Sequence, residues 1–200
     1  LSLGEFTAHA AAGTFSFLDG LKLVSQRGTF MEEACNATDG AMAALIGGEE
    51  SRIRELAEAT GVDVANLNAP GQIVISGTSA GIDAAVAQAK DFGIRRAIKL
   101  NVAGAYHSRL MASAQEKLAA ELAGTTITTP AIPVVANFTA QPVSSVEEIR
   151  STLTSQVTGS VRWIESIQHL VSQGHTTFVE IGPGKVIAGL VAKIAPDATV

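Results

Sequence analysis

Leu1-Ser2-Leu3-Gly4-Glu5 opens the chain and runs straight into the alanine-rich stretch Phe6 to Ala12. A serine followed two residues later by glycine, at the start of a run with helical composition, has two readings. It is a helix cap, or it is a nucleophile elbow. In the elbow the serine sits on a tight turn and the N-terminus of the helix faces its hydroxyl. No glycine and no strand precede Leu1 here, so half of the elbow pattern is absent and the rest of the chain has to supply the argument.

Composition narrows the field. The 200 residues are 46% apolar and 16% charged, the balance of a globular chain with a sizeable core. A net charge of -5 with no basic stripe argues against nucleic-acid binding. Cys35 is the only cysteine, which excludes a disulfide framework and a cysteine-rich metal site and suits a reducing cytosol. No apolar run reaches the roughly 18 residues of a membrane span. No secretory signal is evident, and a cytoplasmic location is the expectation.

Working outward from the elbow, helices are expected over Gly4–Gly13 and Leu18–Ala34, with a turn at Asp39-Gly40. Residues 41–102 then change character. Ala41–Ile46 reads as a strand, and residues 49–60 as a helix with Ile53, Leu56 and Ala57 on one face. Val62–Leu67 and Gln72–Ser76 are β-like and joined by the turn Asn68-Ala69-Pro70-Gly71. Ser79–Phe92 reads as a helix and Arg95–Val102 as a strand. This β-α-β-β-α-β order predicts a ferredoxin-like subdomain at 39–102, inserted into an α/β unit made of residues 1–38 and 103–200.

In the second part of that unit, Met111, Ala114, Leu118 and Leu122 mark a helix. A strand is expected over Pro130–Phe138, helices over Val146–Leu153 and Val161–Leu170, and a buried strand over Thr176–Ile181. Gly182-Pro183-Gly184 then turns the chain into a last helix bearing Val186, Ile187, Leu190, Val191 and Ile194.

A serine nucleophile needs a base, and the chain has four histidines. His9 is expected to face out from the first helix, and His169 and His175 read as surface residues. His107 lies in Ala103-Gly104-Ala105-Tyr106-His107-Ser108, a loop of small residues between a strand and a helix, where an α/β scaffold presents catalytic groups. A capping histidine would look the same there. No acid stands where the common hydrolases keep theirs; Glu180 comes nearest and also reads as structural. Arg27, on an otherwise apolar helix, is either a surface arginine or a bidentate fork for a substrate carboxylate.

Seven stretches taken together resemble one family. They are Ser2-Leu3-Gly4-Glu5, Gln26-Arg27-Gly28 with Met31, Gly40-Ala41-Met42-Ala43, Asn68-Ala69-Pro70-Gly71-Gln72, Tyr106-His107-Ser108 with Leu110-Met111, Val161-Arg162-Trp163, and Glu180-Ile181-Gly182-Pro183-Gly184-Lys185. In order and approximate spacing they are similar to malonyl-CoA:acyl carrier protein transacylases, the acyltransferases of fatty acid and polyketide synthesis. The resemblance implies an α/β-hydrolase-like acyltransferase core with the inserted ferredoxin-like subdomain. It implies transfer of malonyl from malonyl-CoA to the pantetheine thiol of acyl carrier protein through an acyl-serine, with no cofactor, by a monomer.

Residue by residue, the resemblance makes Ser2 the nucleophile and His107 its base. Arg27 becomes the partner of the malonyl carboxylate, the Leu3 N–H an oxyanion donor, and Gln156 the residue whose backbone carbonyl orients His107. Tyr106 would crowd the α-carbon and favour malonyl over methylmalonyl. Two departures stand out: the family's upstream Gly-Gln-Gly loop and incoming strand have no counterpart, so the chain looks like roughly the C-terminal two-thirds of the enzyme, and Leu1 stands where histidine is usual. An acyltransferase domain of a polyketide synthase is the nearer alternative, and a serine thioesterase or esterase the further one. Arg95, Arg96 and Lys99 are either a docking patch for an acidic carrier protein or plain protection of a sheet edge.

Overall fold

The computed structural model describes all residues 1–200. Two helices come first, α1 (Ser2–Ala11) and α2 (Phe17–Asn36). Ser16 starts α2 by accepting the Asp19 N–H at 3.1 Å, which satisfies one of the amides a helix start leaves open. The buried stripe of α2 runs Leu23, Arg27, Met31, Ala34 and Cys35, spaced by four, four, three and one. Arg27 therefore occupies a position that helical period assigns to the core.

A four-stranded antiparallel sheet follows: β1 (Gly40–Ile46), β2 (Asp63–Ala69), β3 (Gln72–Thr78) and β4 (Arg96–Lys99), in the order β2-β3-β1-β4. Helices α3 (Glu50–Thr60) and α4 (Ser79–Gln88) cover one face, the topology read from residues 41–102. Strand alternation divides the sheet. Ala41, Ala43, Leu45, Ile73 and Ile75 join Ile53, Leu56 and Ile82 of the helices in one core, while Met42, Ala65 and Val74 form a small cluster on the opposite face. The edge strand β4 ends earlier than expected. Leu100 still donates to the Met42 carbonyl at 2.9 Å, and the chain then leaves the sheet. On this open edge Lys99 pairs with Asp83 at 2.7 Å, while Arg95 and Arg96 are exposed.

The other elements are α5 (Ala112–Gly124), the ribbon β5 (Val134–Val135) with β6 (Pro142–Val143), α6 (Val146–Ser155), α7 (Trp163–Ser172) and α8 (Val186–Ile194). A second core gathers Phe6, Phe15, Leu23, Met31, Met111, Leu118, Leu122, Ile149 and Leu153. The two cores are stitched along β2. Leu67 donates to the Val161 carbonyl at 2.9 Å and Val161 to the Ala65 carbonyl at 2.8 Å, and Arg109 clasps the Asp63 carboxylate. Val161 thus pairs with β2 rather than starting α7.

Three further expectations need correction. The strand over Pro130–Phe138 shrinks to Val134–Val135, because Pro130 and Pro133 offer no N–H to a ladder. Thr176–Ile181 is not a buried strand: Val179 is 78% and Ile181 92% exposed, and the stretch makes only an isolated bridge from Thr177 to Thr199. Apolar composition states what a strand prefers, and no strand within residues 1–200 runs beside this one to cover it. His9 does not face out. It is fully buried on the Glu5–Phe6–His9 face of α1, with Nδ1 3.0 Å from the Thr14 hydroxyl, and burial pushes its pKa down to about 4.

The loop after β4 is pinned by close packing. A Cβ on Gly104 would lie 2.4 Å from Cys35 Sγ and 2.9 Å from Cys35 Cβ. Gly104→Ala is therefore expected to destabilise the fold by about 1–3 kcal/mol through overpacking. Denaturant midpoints check this, and a midpoint equal to that of the parent would contradict it.

Candidate active site

Ser2 is the first helical residue of α1, and its side chain caps nothing. The hydroxyl instead faces three side chains from distant parts of the sequence. Oγ lies 2.9 Å from His107 Nε2, accepts a hydrogen bond from Arg27 Nη2 at 2.6 Å, and stands 3.4 Å from Gln156 Oε1. On the other side of the imidazole, Nδ1 is 2.7 Å from the Gln156 backbone oxygen. A carbonyl can only accept, so Nδ1 carries the proton and Nε2 turns its lone pair to the serine. No carboxylate takes part in this alignment.

His107 is held by backbone as well as by partners. Its φ of 56° places it in the left-handed region, unusual for a residue with a β-carbon. The loop around it is tied down: Ser108 Oγ donates to the Ala105 carbonyl at 2.7 Å and accepts from the Leu110 N–H at 3.2 Å, and the Arg109 N–H donates to Asp63 at 2.9 Å. Burial pushes the His107 pKa down to about 4, against the pull of the Gln156 carbonyl and with help from the nearby Arg27 cation. The ring is therefore neutral at pH 7 and able to take a proton.

Arg27 is 8% exposed, and no carboxylate lies within ion-pair distance of it. Its guanidinium sits 5.6 Å from the Phe6 ring centre, Nε has no partner, and its one hydrogen bond goes to the neutral Ser2 hydroxyl. Burial lowers its pKa, opposed by the charge of Glu5. A desolvated fork without a counter-ion is a receptor for an anion.

Glu5, one turn along α1, is buried too. Its Oε2 accepts from the Asn137 N–H (2.9 Å), Asn137 Nδ2 (2.6 Å) and Gln156 Nε2 (2.8 Å), whereas Oε1 has no partner. Burial pushes its pKa up to about 7, with the Asn137 bonds and the Arg27 charge pulling the other way. The Leu3 N–H lies in the first turn of α1, where amides have no intrahelical acceptor.

Ser2, Arg27 and His107 border a cleft of about 430 Å³. Met31 and Tyr106 line it beside them, together with Met42, Asn66 and Val74 of the sheet and Leu100 and Val102 of the segment that follows β4. Of the residues singled out in the sequence, Ser2, Arg27, His107 and Gln156 converge within hydrogen-bond distance. Glu180 does not join them: it accepts the Ile187 and Ala188 N–H groups at 3.1 and 2.9 Å and caps α8. His169 is half-buried on α7 and His175 is exposed. Sequence reasoning gave Glu5 and Asn66 no part in the site, although a carboxylate next to Phe6 on the face it shares with His9 was a usable sign. No group of three or more His, Cys, Asp and Glu side chains converges in a metal-binding arrangement.

Comparison with known proteins adds to the geometry. Residues 1–194 match the family described as acyl transferase domain. The malonyl CoA-acyl carrier protein transacylase of Bacillus subtilis (strain 168) is 45% identical over 198 residues, covering 96% of this chain and 62% of that protein. The polyketide biosynthesis protein ThaF of Burkholderia thailandensis is 44% identical over 199 residues, 98% of this chain and 17% of its own. Among solved structures, the malonyl CoA-acyl carrier protein transacylase of Coxiella burnetii superposes with a TM-score of 0.96 at 37% identity, over 99% of this chain and 64% of that one. The chain thus spans less than two thirds of the length of these relatives.

Proposed function

The chain belongs to the acyl transferase domain family and has its α/β acyltransferase fold, and from that premise we propose that it transfers a malonyl group from malonyl-CoA to the pantetheine thiol of an acyl carrier protein. The observation that carries this reading is the alignment Gln156 O, His107, Ser2 beside a buried guanidinium that lacks an anion. Residues 1–38 and 103–200 form the catalytic subdomain and 39–102 the smaller one, with the cleft between them. The two separate hydrophobic cores support that division.

The reaction runs in two halves. Ser2 Oγ passes its proton to His107 Nε2 and attacks the thioester carbonyl carbon; the negative oxygen of the tetrahedral adduct is met by the Leu3 N–H at the start of α1. Collapse breaks the carbon–sulfur bond, and His107 returns the proton to the departing CoA sulfur. In the second half the pantetheine S–H gives its proton to His107, its sulfur attacks the malonyl-serine ester, and Ser2 leaves with the proton restored. Arg27 holds the free carboxylate throughout, and Tyr106 borders the α-carbon. Malonyl-CoA is a substrate, and every proton moves on groups of this chain without a cofactor. No helix is long and apolar enough to cross a membrane. The setting of the reading is a cytoplasmic monomer that meets carrier protein in solution.

Incubating the full-length protein with radiolabelled malonyl-CoA should place label on Ser2, and holo acyl carrier protein should then discharge it. No label on Ser2, or release of free malonate without a thiol acceptor, would overturn the transferase reading, the second outcome in favour of a hydrolase. The likeness to ThaF favours a polyketide pathway as a second reading with the same chemistry. Transfer to a polyketide carrier protein in preference to a fatty acid one would mark it.

The neutral imidazole fixes a pH expectation. Because the His107 pKa is lowered to about 4, the base stays unprotonated well below the usual histidine range, and kcat/KM should hold its plateau there and fall only toward pH 4. A pH–rate series checks this; an acid limb centred near the ordinary histidine value, about 6.5, would contradict it.

A further inference from the structure

Glu5 lies outside the proton path and holds the groups that line it. Gln156 follows the last residue of α6, where helix carbonyls have no intrahelical donor, so its backbone oxygen is free to face His107. Which way that oxygen points depends on what fixes the residue. On the backbone side, the Gln156 N–H donates to the Thr152 carbonyl at 2.9 Å. On the side-chain side, the amide is suspended between two residues of α1: Nε2 donates to Glu5 Oε2 at 2.8 Å, and Oε1 looks at Ser2 Oγ from 3.4 Å. The same Glu5 oxygen gathers the backbone and side-chain N–H groups of Asn137, in the turn between β5 and β6. One carboxylate oxygen therefore ties α1, the β5–β6 turn and the end of α6 together, directly behind the Ser2–His107 pair.

We infer that Glu5 is a positioning residue of the acyl-transfer site, its Oε2 locking Gln156 so that the backbone oxygen stays on His107 Nδ1 while the side-chain oxygen faces Ser2. The inference rests on the reading above, in which Ser2 and His107 do the chemistry. It requires an acceptor at Oε2 and no charge: an amide oxygen in the same place accepts the same donors, and the other oxygen, Oε1, has no partner to lose. Leucine of similar bulk has no acceptor. It leaves Gln156 Nε2 and both Asn137 donors unpaired in a buried site, free to draw the Gln156 carbonyl off the imidazole.

The test uses the full-length protein and two readouts: steady-state malonyl transfer, and the rate at which a fluorophosphonate labels Ser2, which reports the serine–histidine alignment whatever acyl group the enzyme takes. A misplacement on the order of 1 Å near the reacting groups costs about 10²-fold. Glu5→Leu should therefore lower kcat and the labelling rate by about 30- to 100-fold with KM for malonyl-CoA little changed, and Glu5→Gln should stay within about threefold of the parent. Gln156→Leu, which keeps the backbone carbonyl and the volume, should match Glu5→Leu. The double variant should be no worse than either single one, since both cut the same link. A folded Glu5→Leu that labels at the parental rate, or a double variant whose losses multiply, overturns the inference. Should Glu5→Leu not fold, Gln156→Leu decides alone, and parental labelling by it overturns the inference. A parent that is labelled at Ser2 but transfers no malonyl overturns the substrate reading instead and leaves the labelling comparison to judge Glu5.

Discussion

Alanine at His107 should lower kcat for malonyl transfer by about 10³- to 10⁴-fold while KM for malonyl-CoA stays close to that of the parent. A serine hydroxyl is a poor nucleophile at neutral pH, and His107 Nε2, 2.9 Å from Ser2 Oγ, is the one base within reach of it. Glu5 and Glu180 are engaged elsewhere, with Asn137 and Gln156 and with the start of α8. In the proposed cycle the imidazole acts in both halves, so its loss is expected to slow formation and discharge of the acyl-serine alike. What survives is binding in the cleft and the Leu3 N–H, neither of which needs the ring. Single-turnover labelling with malonyl-CoA, followed by a chase with carrier protein, separates the two halves. A kcat within tenfold of the parent would show that some other group takes the Ser2 proton.

Much of this arrangement was legible in the sequence because it follows from local rules. The glycine-bounded apolar run of β1, the β-like run of β3 and the Asn68-Ala69-Pro70-Gly71 turn give the sheet, whose order then follows from the helices between its strands. Arg27 could be singled out because a guanidinium on an apolar helical stripe either escapes to solvent or has a purpose, and its burial excludes the first. The errors have a common physical origin. The sequence expectations for His9 and Thr176–Ile181 rest on the residues' own chemistry, whereas what buries or exposes a residue is the partner opposite it. Thr14, beyond the end of α1, supplies that partner to His9, and nothing within the chain supplies one to Val179 or Ile181. Gln156 marks a different limit. Its contact with His107 is made by a backbone oxygen, which carries no side-chain signature, so only resemblance to a family could point to it. Glu5 was in view from the first five residues, but its role depends on Asn137 and Gln156, which approach it from more than 130 positions away.

Alanine at Arg27 should change what the site accepts more than how fast it works. In the parent, the buried guanidinium meets only the Ser2 hydroxyl and the face of Phe6, so it is under-compensated until an anion arrives. Under the proposed function, the malonyl carboxylate would supply the missing charge in a planar, bidentate geometry, whereas acetyl would supply nothing and leave the cation desolvated. Breaking one side of a hydrogen-bonded charge pair in a buried site costs about 2–5 kcal/mol, so kcat/KM for malonyl-CoA should fall by about 30- to 5,000-fold in Arg27→Ala. Acetyl-CoA loses no such contact, and removing an uncompensated cation eases its entry, so its kcat/KM should hold or rise. The ratio of the two thioesters thus shifts by at least about 30-fold toward acetyl, whereas damage to folding or to Ser2 would lower both together. Arg27→Lys should recover only part of the preference, because an ammonium is a point charge that cannot match both carboxylate oxygens at once. Competing the two thioesters against each other with the variant measures that ratio directly. An unchanged ratio would remove Arg27 from substrate selection and leave its 2.6 Å bond to Ser2 as its only role in the cleft.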